Sequence, residues 1–514
     1  MTLSSFYRLP GRILMMCFCI LVSFTNTFGQ LKSVETDYSN QKHYNLQEKI
    51  FIHTDRTFYL CGEIIWFKAY LVNALNNEPL SVSKVLYIEV LDKTNKPVLQ
   101  EKIAMKNGSG SGSFLLPFSI SSGNYELRAY TNWMKNFSPE HYFNKSISII
   151  NTTRNLDSAI VHESLTCSAN FFPEGGTLVN DLESEIAFKV IDNKNIGISS
   201  EGVIIDGAND TIVHFKTLHA GIGHFYLSPE KGKEYTAIIN CSNGIFIRQK
   251  LPGANDAGYV LHVTDTNSSS IKISVKKAGE DEKIPRDIFV LIQNNQQINF
   301  AKSLPFQNNY ASWEINKDSL KEGITQITVF DADRQPVCER LFFKLPEKKL
   351  LINAQPDNST YQLRDKVSFN VTTKDQSNKQ LRGNLSVTVF RLDDLHEPDP
   401  ANIFSYLWLS SNLQGSIEDA GYYFSNENKE NNEAIDNLLL AQGWRKFDKN
   451  KILIDKKPAF TYMPEYLGHI IIGRITNRAT GQPAAKVLVY LSVPGRRVEL
   501  KGCVSDSAGL IHFD

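Results

Sequence analysis

A chain of 514 residues and 58.1 kDa exceeds what one hydrophobic core usually holds, so several domains are expected. Lys plus Arg number 55, as do Asp plus Glu, giving a formal net charge of 0 and a pI near 7.2. That balance gives no reason to expect nucleic-acid binding and excludes a global field that would draw the chain to an anionic membrane. With 42% hydrophobic and 21% charged residues, the chain can build cores and is no disordered tail.

In chain order, the first feature is a leader. Arg8 and Arg12 precede a mostly apolar run from Ile13 to Phe24, and Thr27 and Gly29 are small residues placed for a cut before Gln30. This is the layout of a secretory signal over residues 1–29, and the run is shorter than the roughly 20 residues that span a bilayer. Leu14-Met15-Met16-Cys17 approximates a lipid-attachment box, but Met16 is too large for its position and Cys17 sits inside the apolar run. No later stretch is long enough to cross a membrane as a helix, so the mature chain is expected to have no transmembrane helix. Cleavage leaves five cysteines, Cys61, Cys167, Cys241, Cys338 and Cys503. Being odd in number and widely spread, they are expected to be small core residues, without a disulfide framework or a zinc site.

After the leader, strand signals dominate. Val85–Leu91, Ile186–Ile191 and Leu385–Arg391 are β-branched or aromatic runs between turn residues. Turn pairs such as Asn107-Gly108, Lys231-Gly232 and Thr480-Gly481 recur. The expected fold is all-β, as tandem immunoglobulin-like sandwiches. The blocks fall at 44–151, 160–252, 257–346, 348–460 and 468–514, with Leu251-Pro252 and Leu345-Pro346 as linkers. The fourth block carries a short helical insertion. Ile435, Leu438 and Leu439 recur at helical spacing before Gly443, and Asn402 to Leu413 suggests a second short helix. At the end of the chain, Leu510 to Phe513 opens a strand that stops at Asp514, which reads as a truncated domain and a fragment of a longer chain.

Several of these residues carry a family resemblance. Lys49-Ile-Phe-Ile-His-Thr-Asp-Arg-Thr-Phe-Tyr-Leu-Cys-Gly-Glu63, followed by Ile64-Ile-Trp-Phe-Lys-Ala-Tyr70, resembles the opening of the MG2 domain of alpha-2-macroglobulins, with Cys61 where that family usually has Pro. Gly123-Asn-Tyr-Glu-Leu-Arg-Ala-Tyr130 resembles a later strand of the same domain. Tyr130-Thr-Asn-Trp-Met134, Phe172-Pro-Glu-Gly-Gly-Thr-Leu-Val179, His219-Ala-Gly-Ile-Gly-His-Phe225, Glu339-Arg-Leu341, Ser405-Tyr-Leu-Trp-Leu-Ser-Ser411 and Gln442-Gly-Trp-Arg445 resemble a narrower group. These are cell-envelope proteins of Bacteroidota built from macroglobulin-like domains. Gly473 to Pro483 with Val487 to Leu491 resembles the carboxypeptidase regulatory-like domain, a small sandwich that is not the peptidase. The resemblance implies association with TonB-dependent outer-membrane receptors, whose plug-like segment often follows that domain.

Candidate chemistry is sparse, and no catalytic, cofactor-binding or metal-ligating residue is assigned. Cys61-Gly62-Glu63-Ile64 lacks the glutamine of a macroglobulin thioester, since Ile64 has no carboxamide. His214, His219 and His224 are evenly spaced, but odd spacings on strands place neighbours on opposite faces. Asp393, Asp394, His396, Glu397 and Asp399 form an acidic loop without the regular spacing of a calcium loop. Gly108-Ser-Gly-Ser-Gly112 reads as a hairpin tip. Trp66, Trp133, Trp313, Trp408 and Trp444 read as aromatic anchors. Asn136, Asn151, Asn209, Asn358 and Asn370 begin Asn-x-Ser/Thr triplets and read as surface turns.

The functional expectation is a non-enzymatic exported envelope scaffold or binding protein, in the periplasm or at the outer membrane, with envelope proteins as partners and no cofactor. Two alternatives stand beside it. One is protease inhibition, with Ser425 to Asn432 as a polar insert holding one basic residue, Lys429. The other is glycan binding, which at this stage rests on fold analogy alone.

Overall fold

A computed structural model of the chain describes residues 46–154, 166–242, 244–265, 269–279, 287–295, 297–392, 402–426, 428–443, 460–493 and 499–513. The signal segment 1–29, the acidic loop 393–399 and Trp444 lie outside the described residues. The described residues form two compact units. The first takes those of 46–159, 386–399 and 458–514, and the second those of 160–385 and 400–457.

The first unit opens with β1 (Glu48–Thr54), β2 (Phe58–Leu60), β3 (Ile64–Asn73), β4 (Val85–Leu91), β5 (Pro97–Ala104), β6 (Ser109–Leu115), β7 (Gly123–Tyr130) and β8 (Phe143–Ile150). They build a three-stranded sheet β1-β3-β6 and a five-stranded sheet β2-β8-β7-β4-β5. Alternation drives the pairing of faces. Ile65, Phe67, Ala69 and Leu71 of β3 and Leu86, Ile88 and Val90 of β4 are buried, while the residues between them point outward. Burying each of the larger side chains among them contributes roughly 1.5–3 kcal/mol.

The second unit continues with β9 (Ser168–Pro173), β10 (Ser184–Ile191), β11 (Ser200–Ile205), β12 (Thr211–Lys216), β13 (Ile222–Leu227), β14 (Thr236–Cys241) and β15 (Phe246–Lys250). Sheets β13-β10-β9 and β12-β11-β14-β15 enclose a core of Ile186, Phe188, Val190, Ile204, Phe225 and Ile239. Next come β16 (Gly258–Asp265), β17 (Ser270–Ala278), β18 (Ile288–Asn294), β19 (Gln297–Leu304), β20 (Tyr310–Asn316), β21 (Gly323–Phe330) and β22 (Pro336–Lys344). Sheets β16-β17-β20 and β19-β18-β21-β22 form another sandwich, around Ile271, Ile273, Val290, Ile292, Ile327 and Val329. An exposed hairpin of β23 (Leu351–Pro356) and β24 (Phe369–Lys374) follows.

Two helices complete this unit. A short one, Ile403–Trp408, is capped by a box between Asn402 and Ser405. The long helix, Lys429–Gln442, is capped by Asn428, whose side chain accepts from the Asn431 amide. It packs Ile435, Leu438, Leu439 and Leu440 against Ala187 and Ile222 of one sandwich and Ile324, Leu341 and Phe343 of the other. Gly443 ends it for a packing reason. A Cβ there would fall 2.2 Å from the Leu439 carbonyl oxygen and 2.6 Å from a Leu341 methyl. Much of the polar insert Ser425 to Asn432 is therefore the start of this helix, with Asn431 buried and donating to the Tyr422 carbonyl.

The first unit closes with β25 (Ile471–Arg474), β26 (Leu488–Val493), β27 (Glu499–Val504) and β28 (Leu510–Phe513), paired as β25-β28 and β26-β27. The segment before them is tied to the first sandwich. The Asn136 amide donates to the carbonyls of Trp133 and Tyr462 and accepts from the backbone of Thr461 and Tyr462. Asn132 donates to the Met463 carbonyl, and the Tyr87 hydroxyl donates to Glu465. The Tyr130-Thr-Asn-Trp-Met134 motif thus sits where the returning chain docks.

Several expectations are corrected. Leu385–Arg391 is no strand. Ser386 is held by His53 Nδ1 at 2.6 Å and by the Tyr70 hydroxyl at 2.9 Å, while Val387 and Val389 stay exposed with no face to bury. Gly108-Ser-Gly-Ser-Gly112 is no hairpin tip beyond its first residue, because Ser109 onward is β6. A Cβ on Gly110 or Gly112 would strike Met105 or Phe67, so glycine here makes room for core side chains. Trp66 is exposed, not core, whereas Trp133 is buried. Asn151 is buried too, donating to the carbonyls of Phe118 and Ile120.

The last correction concerns the cysteines. Cys167 and Cys241 form a disulfide, whereas Cys61, Cys338 and Cys503 are free. The bond links the residue before β9 to β14, so it crosses between the two sheets of one sandwich and closes 74 residues of chain. A loop of that length removes denatured-state entropy worth about 4 kcal/mol in the chain-entropy picture. Two Ala substitutions, C167A with C241A, are expected to lower unfolding stability in urea by a few kcal/mol. The unreduced, denatured mature chain should titrate three thiols in a thiol-reagent assay. Five thiols would contradict the pairing.

Candidate functional site

The second unit buries a cluster of charged side chains where its two sandwiches meet the long helix. The cluster starts from a turn. β9 ends at Pro173, and Gly175 (φ +77°) and Gly176 (φ +112°) reverse the chain through left-handed conformations open to glycine. Gly176 N–H donates to the Pro173 carbonyl and Glu174 N–H to the Glu185 carbonyl. The turn leaves the Glu174 carboxylate fully buried.

Arg340 meets it from β22. Its Nε donates to Glu174 Oε1 at 2.8 Å, its Nη2 to Asp436 Oδ2 of the long helix at 2.8 Å, and its Nη1 to the Leu341 carbonyl. Glu185 Oε2 lies 4.0 Å from the same guanidinium. His262 of β16 places Nδ1 2.5 Å from Glu174 Oε2 and Nε2 2.9 Å from the Glu183 carbonyl. Both ring nitrogens face acceptors, so the imidazole must carry two protons and a positive charge.

The titration behaviour follows from this packing. Burial alone would push the Glu174 carboxyl up, but Arg340 and His262 outweigh it and hold Glu174 below the usual range. Burial likewise works against the His262 cation, yet the Glu174 bond raises its pKa above the ordinary value. Glu185 is pushed up to about 8, by burial first and by the Asp436 charge second. Asp436, whose side chain keeps 38% of its surface exposed, is raised by its partial burial despite Arg340. Each cation of the cluster thus faces an acidic partner, Arg340 against Glu174 and Asp436 and His262 against Glu174, which is the condition for keeping ionisable groups out of water.

His224 carries the cluster outward. Its ring nitrogens lie 3.8 Å from Glu185 and 3.8 Å from Glu433 of the long helix. Beyond it opens a cleft of about 760 Å³ between the outer face of sheet β12-β11-β14-β15 and the long helix, lined also by His214, Phe246 and Asn437. The three histidines weighed from the sequence are thus separated in role. His214 is exposed on β12, His224 joins the cluster to the cleft, and His219 stacks on Tyr422 at 3.7 Å. Among the described residues no group of three His, Cys, Asp or Glu side chains is placed to share a metal ion. Cys61 is buried in the β2–β3 turn, its thiol 3.6 Å from the Ile120 carbonyl.

The sequence pointed to Phe172–Val179 and Glu339-Arg-Leu341 as motifs without revealing that Glu174 and Arg340 are partners 166 positions apart. Arg340 shares strand parity with the core residue Cys338, and Glu174 precedes two glycines. Those were the available signals.

No family model matches the chain, and no curated protein matches it. Solved structures similar to parts of it include alpha-2-macroglobulin from Escherichia coli activated by porcine elastase, at 11% identity over 91% of this chain and 41% of that one, with a TM-score of 0.23. Salmonella alpha-2-macroglobulin reacted with methylamine is 10% identical over 64% of this chain and 26% of that one, with a TM-score of 0.17. A tetra-tandem repeat from the extending region of a large adhesion protein is 10% identical over 65% of this chain and 92% of that one, with a TM-score of 0.16. The chain therefore spans about a quarter of the Salmonella protein.

Two outcomes test the cluster. R340M strands the buried Glu174 carboxylate, while Asp436 stays 38% exposed to solvent, and is expected to cost about 3 kcal/mol in urea unfolding. It should also speed amide exchange across Lys429–Gln442. A cost under about 1 kcal/mol would show that the cluster does not hold the helix. The second outcome is a pH profile. Glu185 and His262 both bind protons more tightly folded than unfolded, so stability is expected to fall as pH rises from the ordinary Glu value of 4.5 toward 8 through Glu185, with His262 adding to the fall above its ordinary 6.5. Each group contributes a slope of up to about 1.4 kcal/mol per pH unit. E185Q should flatten the profile and be more stable than the parent above pH 8; a parallel profile would contradict the assignment.

Proposed function

We propose that the chain is an exported, non-enzymatic scaffold and binding protein of a bacterial cell envelope, built from five sandwich-type blocks and associated with TonB-type outer-membrane machinery. The observation that carries the reading is the Cys167–Cys241 disulfide. Such bonds persist in oxidising compartments such as the periplasm and are rare in the cytosol. The leader over residues 1–29 supports the same compartment, and the motif resemblance supports the envelope and the outer-membrane partner.

The physical role fits a scaffold. The second unit spends its most deeply buried ionisable groups on fixing two sandwiches and a helix together. A charge pair such as Arg340–Glu174, removed from water and hydrogen-bonded, specifies one arrangement more than it adds stability. A binding surface held by such a joint keeps its geometry under load.

Expression of the full-length gene in a Bacteroidota host tests the reading. The mature protein is expected in the periplasmic or outer-membrane fraction, with an N-terminus at Gln30 and a TonB-dependent receptor among its cross-linked partners. Recovery from the cytosol with residues 1–29 intact would overturn export. Recovery from the envelope with no such receptor cross-linked would overturn the outer-membrane association.

A further inference from the structure

The cleft beside the charge cluster has a definite chemistry. One wall is the outward face of sheet β12-β11-β14-β15. The register sets Lys216, Glu201, Asn240 and Phe246 in one row across the four strands, and His214, Val203, Ile238 and Arg248 in the next. The alternate residues Phe215, Ile204, Ala237 and Ile239 turn into the core, so this row is free to face outward. The Phe246 ring is 71% exposed. On the other side, the long helix presents Glu433 and Asn437, four residues apart on one helical face.

Asn437 is the informative residue. It is 2% exposed and lines the cleft, and neither its amide oxygen nor its amide nitrogen has a hydrogen-bond partner among the described residues. A buried carboxamide left unpaired costs about 1–3 kcal/mol, so such a group in a cleft wall is fitted to a ligand that supplies both donors and acceptors.

Two features narrow the ligand. The lining sets two carboxylates, Glu201 and Glu433, beside Lys216 and two histidines, with Arg248 next to Ile238 on the same face, so it carries no excess charge of one sign that would select an ionic ligand. An exposed aromatic ring beside amide, carboxylate and imidazole groups offers one apolar platform and several planar hydrogen-bonding groups. That combination fits a ring with an apolar face and hydroxyls at its rim.

We propose that this cleft binds a neutral oligosaccharide, with Phe246 under a sugar ring and Glu433, His224 and Asn437 bonding its hydroxyls. The volume lies within the range of small-ligand sites, roughly 300–1,000 Å³. The assignment rests on the reading of the chain as a non-catalytic binding scaffold and names the ligand class of its cleft.

The test uses the full mature chain with maltotriose, chitotriose, mannotriose and xylotriose, and with trialanine as the peptide probe. Saturation-transfer NMR and calorimetry read binding at millimolar concentration. At least one trisaccharide is expected to bind, with saturation strongest on the protons of one sugar-ring face. F246A and E433Q should each weaken it by about tenfold or more, with F246W retaining it. Circular dichroism checks that each variant is folded, and chemical-shift changes of the Asn437 amide in the unmutated protein locate the sugar even if one is not. Binding of none of the sugars, binding unchanged in both folded variants, or binding of trialanine alone would each overturn the proposal. Sugar failure with the protein still in the envelope fraction overturns the cleft assignment and leaves the exported scaffold standing. Binding followed by cleavage of the trisaccharide would confirm the ligand class and overturn the non-enzymatic reading.

Discussion

The constraint on which the second unit depends is the burial of Arg340. A guanidinium taken out of water costs several kcal/mol unless its donors are met, and no lone carboxylate can meet a fork of five. Arg340 therefore requires Glu174 from one sandwich and Asp436 from the long helix, and the Leu341 carbonyl for a further donor. Glu174 in turn requires a second cation, which His262 supplies. Each demand is met from a different segment. The result is a joint in which strand β9, strand β16, strand β22 and the long helix are fixed against each other by one set of charges.

Apolar contact alone would not fix that joint uniquely. The long helix buries Ile435, Leu438, Leu439 and Leu440 on a surface shared by both sandwiches, and an aliphatic face of this kind tolerates small slides. The Asp436–Arg340 bond at 2.8 Å removes that freedom, because a shift along the helix axis strands two charges at once. The division of labour is thus between a greasy face that supplies stability and a charged point that supplies register.

Much of the sandwich architecture was legible in the sequence because strand alternation is local. Val85–Leu91 is a strand at those limits, and Ile186–Ile191 lies inside β10. The long helix was legible from the spacing of Ile435, Leu438 and Leu439, and Gly443 as its end. Leu385–Arg391 misled for a physical reason: β-propensity describes fitness for a half-buried pleated surface, and here the surface that would bury Val387 and Val389 is absent among the described residues. Cysteine counting misled as well. An odd total says nothing about whether two of its members share a sandwich, and Cys167 and Cys241 meet only because β9 and β14 lie in facing sheets.

The charge cluster and the cleft were the least legible parts, and for the same reason. Both are assembled from segments far apart in the chain, and each residue in isolation has an ordinary explanation. Glu174 reads as a turn residue, Arg340 as a strand charge, and Glu433 and Asn437 as the solvated side of a helix. What distinguishes them is position relative to partners. Placing Glu433 and Asn437 opposite the outer face of a sheet depends on the register of the long helix, and that register depends on Asp436 one position before Asn437. The same bond that neutralises the buried arginine therefore aims the helix face lining the cleft. Stability, geometry and binding chemistry in this unit are consequences of a single pairing and not three separate features.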